Sequence, residues 1–284
     1  MKPSPFDYAK PVSLDEALSL IGSKDGNVTV LAGGQSLMPT LNMRLSSPSL
    51  LVDINGIDEL NGITVSDGVL RIGALTRHNF VERSSEVAQH APLIAMAMPH
   101  IAHPAIRNRG TFGGSIALAD PAAELPACLC ALGAEVEIAS TGERRRVPAL
   151  EFFKDLYTTD LADDELLTAV EIPVIAEGYR SAFEELARRH GDYAMTGLAA
   201  HARIDDRKVS DIRLAFFAVG ATPVLAKKAA TAAEGIEIND EMISSVQSAL
   251  ESDLEPFDDL NCSAKTKIHY AKELTGRVLR TLIL

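Results

Sequence analysis

The stretch that decides the fold is Leu31-Ala32-Gly33-Gly34-Gln35-Ser36-Leu37, which continues a short apolar run, residues 28–31. We interpret the run as a buried strand that enters a turn with paired glycines. Such glycines let backbone N–H groups point into a concavity, and Gln35 and Ser36 add side-chain donors. A helix with Pro39 in its first turn would add a favourable dipole. The turn predicts a diphosphate site, with a purely structural turn as the alternative; its spacing is not the G-x-G-x-x-G of Rossmann folds.

A second paired-glycine stretch, Thr111-Phe112-Gly113-Gly114-Ser115, again places hydroxyls beside two glycines. Arg107 and Arg109 precede it, and they would either neutralise a diphosphate or form exposed salt bridges. Two separate anion-binding turns suit a ligand with two phosphates, bound at a junction between modules. We therefore expect backbone amides from both turns to converge on one pyrophosphate.

Two further stretches carry polar or aromatic candidates. Asp120 before Pro121 fits a helix N-cap, which leaves Glu124 to accept hydrogen bonds from sugar hydroxyls. Asp192 and Tyr193 are candidates for contact with an aromatic cofactor such as a flavin, although by composition alone a surface turn is the safer interpretation.

The overall composition limits the class of protein. The chain has 284 residues, 46% of them hydrophobic and 23% charged, with a formal net charge of -12. This length predicts two or three packed modules, and the acidity argues against coating nucleic acid or an anionic membrane. The N-terminus lacks the apolar stretch of a signal peptide, and residues 91–98 are too few to span a bilayer, so we expect a cytoplasmic protein.

Cysteines and histidines do not predict a metal site. The three cysteines favour a reducing compartment, and we expect Cys128 and Cys130 to be small, inert core residues. The seven histidines show no ligand spacing, and His100 and His103 are the closest pair.

The order of elements is mixed α and β. Ser13 and Glu16 have capping-box spacing before a helical face, and Asp67-Gly68 predicts a hairpin between two strands. The proline and glycines of residues 103–120 indicate a functional loop. Three strands are predicted at 180–186, 198–204 and 212–219, and helices follow at 225–233, 241–250 and 266–284. This pattern predicts an α+β C-terminal domain.

The two turns together resemble the medium, FAD-binding subunit of the molybdenum hydroxylases, the family of CO, xanthine, nicotine, quinoline and caffeine dehydrogenases. The similarity runs nearly end to end and includes several other stretches: Phe6-Asp7-Tyr8, Ile72-Gly73-Ala74-Leu75-Thr76, Glu171-Ile172-Pro173, Gly191-Asp192-Tyr193-Ala194 and Val219-Gly220-Ala221-Thr222-Pro223.

The resemblance implies an α+β fold: a two-part FAD-binding domain of the vanillyl-alcohol-oxidase (PCMH) type, then a small C-terminal α+β domain with a three-stranded antiparallel sheet. The implied domains are FAD-binding subdomain 1 (residues 1–55), FAD-binding subdomain 2 (56–176) and a C-terminal domain like that of the CO dehydrogenase flavoprotein (177–284).

The resemblance also implies cofactor-binding residues. Residues 32–36 and 111–115 would wrap the diphosphate, Glu124 would contact the ribose, and Asp192 and Tyr193 would lie near the isoalloxazine. The full predicted set is Leu31, Ala32, Gly33, Gly34, Gln35, Ser36, Leu37, Ile101, Ala102, Thr111, Gly113, Gly114, Ser115, Glu124, Leu167, Asp192 and Tyr193. Three positions depart from relatives: Gln35 stands where CO dehydrogenase-like chains tend to have His, Phe112 replaces a more usual Ile or Val, and Ser115 replaces a frequent Asn or Asp.

The implied activity is that of an oxidoreductase subunit. FAD on this chain would receive electrons from two [2Fe–2S] clusters on a small subunit and pass them to an external acceptor. A large molybdopterin subunit would hydroxylate the substrate, in a dimer of heterotrimers. Gln35 favours an N-heterocycle or a related organic substrate over CO. Two alternatives stay open: a standalone FAD oxidase of the same fold, and a scaffold that has lost its cofactor.

Overall fold

The N-terminal segment folds into a three-stranded parallel sheet. The computed structural model describes residues 2–23 and 27–284 of the chain. The elements of this segment are β1 (Asp7–Ala9), α1 (Leu14–Gly22), β2 (Val28–Leu31), α2 (Leu37–Asn42) and β3 (Leu50–Asp53). The strand order is β1-β3-β2, and all four residues of the central β3 are buried, as parallel sheets require.

Helix α1 begins where the capping-box spacing predicted. The Ser13 hydroxyl accepts a hydrogen bond from the Glu16 backbone N–H at 3.2 Å, whereas the Glu16 carboxylate accepts from the Val12 N–H instead of closing on Ser13. The apolar face of the helix is buried, as its periodicity predicts: Leu14, Ala17, Leu18 and Ile21.

The second segment is built on a five-stranded antiparallel sheet covered by helices. Its elements are β4 (Ile63–Ser66), β5 (Val69–Gly73), α3 (His78–Arg83), α4 (Ser85–His90), α5 (Pro92–Ala97), α6 (Pro104–Arg107), α7 (Phe112–Leu118), α8 (Glu124–Leu132), β6 (Glu135–Ser140), β7 (Glu143–Pro148), α9 (Ala149–Phe152), β8 (Phe153–Asp155), β9 (Thr158–Thr159) and β10 (Leu166–Pro173). The sheet order is β4-β5-β10-β6-β7, and β8 pairs with β9 separately. The predicted hairpin is confirmed, with Asp67 and Gly68 at φ values of 51° and 77°.

Residues 103–120 are not the continuous loop that their proline and glycines indicated. They contain the short helices α6 and α7, because Pro104 suits the first helical position and Thr111 caps the second helix. Gly113 lies inside α7 because the helix packs tightly: a Cβ atom there would lie 2.7 Å from the Cα of Ala74.

The C-terminal segment is a four-stranded antiparallel sheet followed by three helices. Its elements are β11 (Tyr179–Ala187), β12 (Ala194–Asp205), β13 (Lys208–Phe217), β14 (Val224–Leu225), α10 (Lys227–Ala233), α11 (Asp240–Ala249) and α12 (Ala264–Thr281). The three predicted strands and helices are confirmed. The prediction of a three-stranded sheet was incomplete, because β14 adds a fourth strand of two residues, too short to show an alternating pattern.

The C-terminal sheet is buried on both faces. Along β12, Leu198 and Ala200 face the cluster formed with the C-terminal helices, whereas Ala199 faces the cluster that contains α8. Along β13, Phe216 and Phe217 alternate in the same way. A single apolar cluster therefore joins the C-terminal sheet to the preceding segment. No helix in the described part of the chain is long and apolar enough to cross a bilayer.

The three main sheets fall within residues 7–53, 63–173 and 179–225. The domain limits at 55/56 and 176/177 stay a prediction.

Candidate functional site

A cavity of about 560 Å³ lies where the two paired-glycine turns meet. The first turn presses on the second: a Cβ atom on Gly33 would lie 2.5 Å from the carbonyl oxygen of Arg109 and 2.8 Å from the Cα of Gly110. A Cβ atom on Gly114 would lie 4.0 Å from the Cβ of Ala32. The two stretches therefore form one continuous wall.

Two polar side chains hold the turns together. The Nδ2 of Asn55 donates to the carbonyl oxygen of Ala32 at 2.8 Å. Arg77 donates from Nη2 to the Oδ1 of Asn55 at 2.6 Å, and from Nη1 to the carbonyl oxygen of Arg109. Sequence reasoning missed both residues, because no local pattern indicates contacts between such distant segments.

The first turn offers backbone donors. The amides of Gly33, Gly34, Gln35 and Ser36 donate to no protein acceptor within residues 2–23 and 27–284. Gly34 adopts a φ of 71°, which suits glycine, and the side-chain amide of Gln35 donates back to the Gly33 carbonyl oxygen at 3.0 Å. Successive amides of this kind form a concavity that binds anions.

We expected the amides of the second turn to be free to bind an anion as well, but they are bonded within the protein. The amide of Gly113 donates to the carbonyl oxygen of Ala74 at 2.9 Å, that of Gly114 to the Thr111 hydroxyl at 3.2 Å, and that of Ser115 to the Thr111 carbonyl oxygen at 3.2 Å. These bonds fix the start of α7. The second turn therefore presents the Ser115 side chain and a close-approaching backbone, not a row of free amides.

The structure brings nearly all the predicted site residues to this cavity. Leu31 is the exception: its side chain lies behind the turn, with Cδ1 3.1 Å from where a Cβ on Gly34 would be. The predicted residues on the wall are Ala32, Gly33, Gly34, Gln35, Ser36, Leu37, Ile101, Ala102, Thr111, Gly113, Gly114, Ser115, Glu124, Leu167, Asp192 and Tyr193.

The acidic end of the cavity differs in one respect from the prediction. Asp120 does not cap α8, because the helix begins at Glu124 with Ala123 as its N-cap. The Asp120 carboxylate instead accepts from the Ala122 amide at 2.9 Å. Burial, together with the nearby charges of Glu185 and Asp120, raises the pKa of Glu124 to about 8.

The stretch from Gly191 to Tyr193 closes one side of the cavity. Gly191 has a φ of 85°, and a Cβ atom there would lie 2.6 Å from the carbonyl oxygen of Ala102. Tyr193 lines the cavity while 66% of its surface stays exposed. This turn is both at the surface and part of the site, so the two readings of its composition do not exclude each other.

His78 is a cavity residue that no sequence pattern indicated. It is buried, it lines the cavity, and neither Nδ1 nor Nε2 has a hydrogen-bond partner within the described residues. Burial lowers the pKa of its imidazole to about 4, so the ring is neutral at physiological pH. Its two unpartnered nitrogens are a reason to expect a polar ligand here.

Arg107 has a structural role. Its side chain is buried, pairs with Glu82 at 2.9 Å, and donates to the carbonyl oxygens of Ile101 and Ala102 at 3.0 and 3.1 Å. These bonds shape the cavity wall from behind. Arg109 is exposed and contributes its carbonyl oxygen to the contact between the turns.

Within residues 2–23 and 27–284, no three His, Cys, Asp or Glu side chains are grouped so that they could hold a metal ion. Cys128 and Cys130 are buried and unbonded, as predicted, and Cys262 is half-buried.

Sequence comparisons agree with this geometry. Residues 4–175 match the FAD binding domain in molybdopterin dehydrogenase, and residues 181–282 match the CO dehydrogenase flavoprotein C-terminal domain. The chain is 38% identical to the caffeine dehydrogenase subunit beta of Pseudomonas sp. (strain CBB1), covering 98% of this chain and 95% of the relative. It is 36% identical to the nicotine 6-hydroxylase medium subunit of Paenarthrobacter nicotinovorans, covering 98% of each chain.

Solved structures are equally similar. A chain of the carbon monoxide dehydrogenase from Hydrogenophaga pseudoflava superimposes with a TM-score of 0.97 at 36% identity, covering 100% of this chain and 99% of that one. Quinoline 2-oxidoreductase from Pseudomonas putida 86 gives a TM-score of 0.95 at 37% identity, covering 99% and 98%. With the fold, the cavity and both domain matches in agreement, the chain belongs to the FAD-binding medium subunits of the molybdenum hydroxylases, a family of oxidoreductases.

Proposed function

We propose that the cavity holds FAD and that the chain conducts electrons through it. The observation that carries this proposal is the run of four unbonded amides, from Gly33 to Ser36, on the wall shared by both turns. Such a run suits a diphosphate, and His78, whose ring nitrogens have no hydrogen-bond partner among the described residues, lines the same cavity. The volume of about 560 Å³ is of the size that encloses a cofactor.

Different residues would bind different parts of the cofactor. Residues 32–36 and the Ser115 hydroxyl would hold the diphosphate, since these groups are hydrogen-bond donors. Ile101 and Leu167 would provide apolar contact for a ring, with Tyr193 at the edge. When bound, FAD supplies the ability to accept electrons singly and to release them in pairs. The protein would position that group.

The partners belong to the same proposal. A small subunit with two [2Fe–2S] clusters would deliver electrons to this chain, and a large molybdopterin subunit would hydroxylate the substrate. We propose a cytoplasmic dimer of such heterotrimers. The electrons would leave this chain for an external acceptor.

We propose an N-heterocycle or a related organic compound as the substrate of the complex. Relatives over the full length include the caffeine dehydrogenase and nicotine 6-hydroxylase subunits, and a quinoline oxidoreductase has the same fold. Gln35 supports this choice over CO, since CO dehydrogenase-like chains tend to have His there.

The test is purification of the native complex through a tag on this chain. We expect co-purification of one iron–sulfur and one molybdopterin subunit, and one FAD per copy of this chain by absorbance after denaturation. Reduction of the complex by candidate N-heterocycles, followed in the flavin and iron–sulfur absorbance, then identifies the substrate class. A complex without flavin would contradict the proposal and favour a scaffold.

The standalone oxidase is distinguished by two further measurements. Such oxidases often tether FAD to His or Cys, and His78 is a histidine on the cavity wall. We expect acid precipitation to release all flavin, because the buried His78 ring would contact FAD as a polar group and would not be joined to it by a covalent bond. We also expect the FAD-loaded chain alone to oxidise none of the substrates that the complex oxidises.

A further inference from the structure

Glu124 places a carboxyl group in unusual surroundings. It is the first residue of α8, every residue of which is buried, and its side chain lines the cavity with the residue only 7% exposed. Within the described chain its carboxyl group forms no ion pair and no hydrogen bond to another side chain, and it accepts from the backbone amide of Glu124 itself. A carboxylate in such a place loses most of its hydration, and a single backbone hydrogen bond compensates for little of that loss.

A second buried carboxyl group lies behind it. The Glu185 side chain on β11 is 4% exposed, and its Oε1 lies 3.2 Å from the Nδ1 of His100. Its Oε2 has no hydrogen-bond partner among the residues that the structure describes. Burial, followed by the charges of Glu124, Cys130 and Glu185, raises the pKa of the Cys128 thiol. The carboxyl groups of Glu124 and Glu185 are therefore both close enough to Cys128 on α8 to affect its ionisation.

Two carboxylates cannot both be ionised at low cost in an apolar core. Glu185 has the imidazole of His100 at 3.2 Å, whereas Glu124 has no basic partner among the described residues. The other titratable groups that face Glu124 are Asp120, Tyr193 and Cys128, and none of them is a cation. Arg213 packs against the far end of α8, at the carbonyl oxygen of Ala131.

We propose that Glu124 faces the cavity as a neutral carboxylic acid, kept protonated by its burial and by the nearby carboxyl group of Glu185, and that it donates a hydrogen bond to the ligand. A neutral acid selects an acceptor atom, such as a ring nitrogen or a carbonyl oxygen of FAD, and rejects a cation. The part that concerns FAD rests on the proposed function. The raised pKa of Glu124, about 8, agrees with this protonation state.

The protonation state can be tested on the chain without FAD. At neutral pH, the infrared difference spectrum between the wild type and Glu124→Gln should contain the carbonyl stretch of a protonated carboxylic acid, and this band should disappear on titration to alkaline pH. In Glu185→Gln the band should disappear at a lower pH, because a neighbouring negative charge is gone. A spectrum with only carboxylate bands at neutral pH would overturn the proposal, whatever the outcome with FAD.

The role of the donor is tested by FAD titration of the apoprotein. Flavin fluorescence is the readout, and the chain contains no tryptophan. Glu124→Gln keeps an N–H donor but cannot ionise, whereas Glu124→Leu removes the donor, and circular dichroism checks that each variant folds. The wild-type affinity should fall above about pH 8, and the affinity of Glu124→Gln should be independent of pH. Glu124→Leu should bind FAD about tenfold more weakly than Glu124→Gln at every pH. Wild-type affinity that stays constant to alkaline pH would overturn the donor role; failure of the wild type to bind FAD at all would instead contradict the proposed function.

Discussion

At the scale of single residues, the site depends on backbone approaching backbone. Gly33 touches the chain at Arg109 and Gly110 so closely that no side chain fits between them. The contact is what turns two separate stretches into one wall. Gly33 is needed for space and not for its backbone conformation, because the positive φ that favours glycine occurs at the next residue, Gly34.

Gly33→Ala should therefore disrupt the site. The added methyl group would lie 2.5 Å from the Arg109 carbonyl oxygen, so the two turns must separate. We expect FAD affinity to fall at least tenfold and the free energy of unfolding to fall by about 1–3 kcal/mol. Flavin fluorescence titration and urea unfolding measure the two effects.

Gly22→Ala is the matched control, because its Cβ would lie at an ordinary 3.7 Å from the Cβ of Asp164, away from the cavity. If Gly33→Ala bound FAD as well as Gly22→Ala does, close contact between the turns would not be needed for binding.

At the scale of elements, the short helix α7 forms one wall of the cavity. Its first amides are bonded to Ala74 and to the Thr111 side chain and carbonyl group, so its start is fixed against β5. Thr111 is 2% exposed, which makes its hydroxyl a buried and fully used cap. The rigidity of this helix start positions Ser115 at the cavity.

Thr111→Val should remove that cap while keeping the volume of the side chain. The Gly114 amide would lose its acceptor, and we expect the free energy of unfolding to fall by about 1 kcal/mol. FAD affinity should fall as well, because the cap holds one cavity wall. Thr111→Ser retains the hydroxyl and should stay closer to the wild type in both urea unfolding and FAD titration. Equal stability of the Val variant and the wild type would show that the cap is not stabilising.

At the scale of the whole molecule, buried titratable groups of opposite type set the pH dependence of stability. Burial lowers the pKa of His78 and of His201 from 6.5 to about 4, and it raises that of Glu124 from 4.5 to about 8. Each group favours its neutral form in the folded chain. Folding therefore releases protons at the histidines and takes one up at Glu124.

The free energy of unfolding should pass through a maximum near pH 6.5. Between pH 4.5 and 6.5 the unfolded chain binds two more protons at His78 and His201, and the folded chain binds one more at Glu124, so stability rises with pH. Between pH 6.5 and about 8 only Glu124 differs, so stability falls as pH rises. The slope on each side is up to about 1.4 kcal/mol per pH unit for one net proton.

Urea unfolding across this range, followed by circular dichroism, measures the curve. Glu124→Gln should abolish the fall above the maximum and steepen the rise below it, because folding then releases two net protons between pH 4.5 and 6.5 instead of one. If the wild-type free energy of unfolding did not fall above the maximum, so that its curve ran parallel to that of Glu124→Gln, the assignment of the proton to Glu124 would be wrong.

Local sequence determined much of this protein. The Ser13 cap, the Asp67-Gly68 hairpin and the three long C-terminal strands follow from spacing alone, because capping, turn geometry and periodic burial act over a few residues. The two paired-glycine turns also identified the family. A helix as short as α7 was missed because its glycines are there for packing, which a local pattern cannot distinguish from a loop.

Tertiary structure alone decided how the site is assembled. Only packing brings Gly33 onto Arg109, links Asn55 to Arg77, and leaves the nitrogens of His78 unpartnered on the cavity wall. The same packing uses the amides of the second turn internally and leaves those of the first turn free. The physical reason is that burial, close contact and proton affinity depend on which distant segments meet, and the sequence states only which residues are neighbours along the chain.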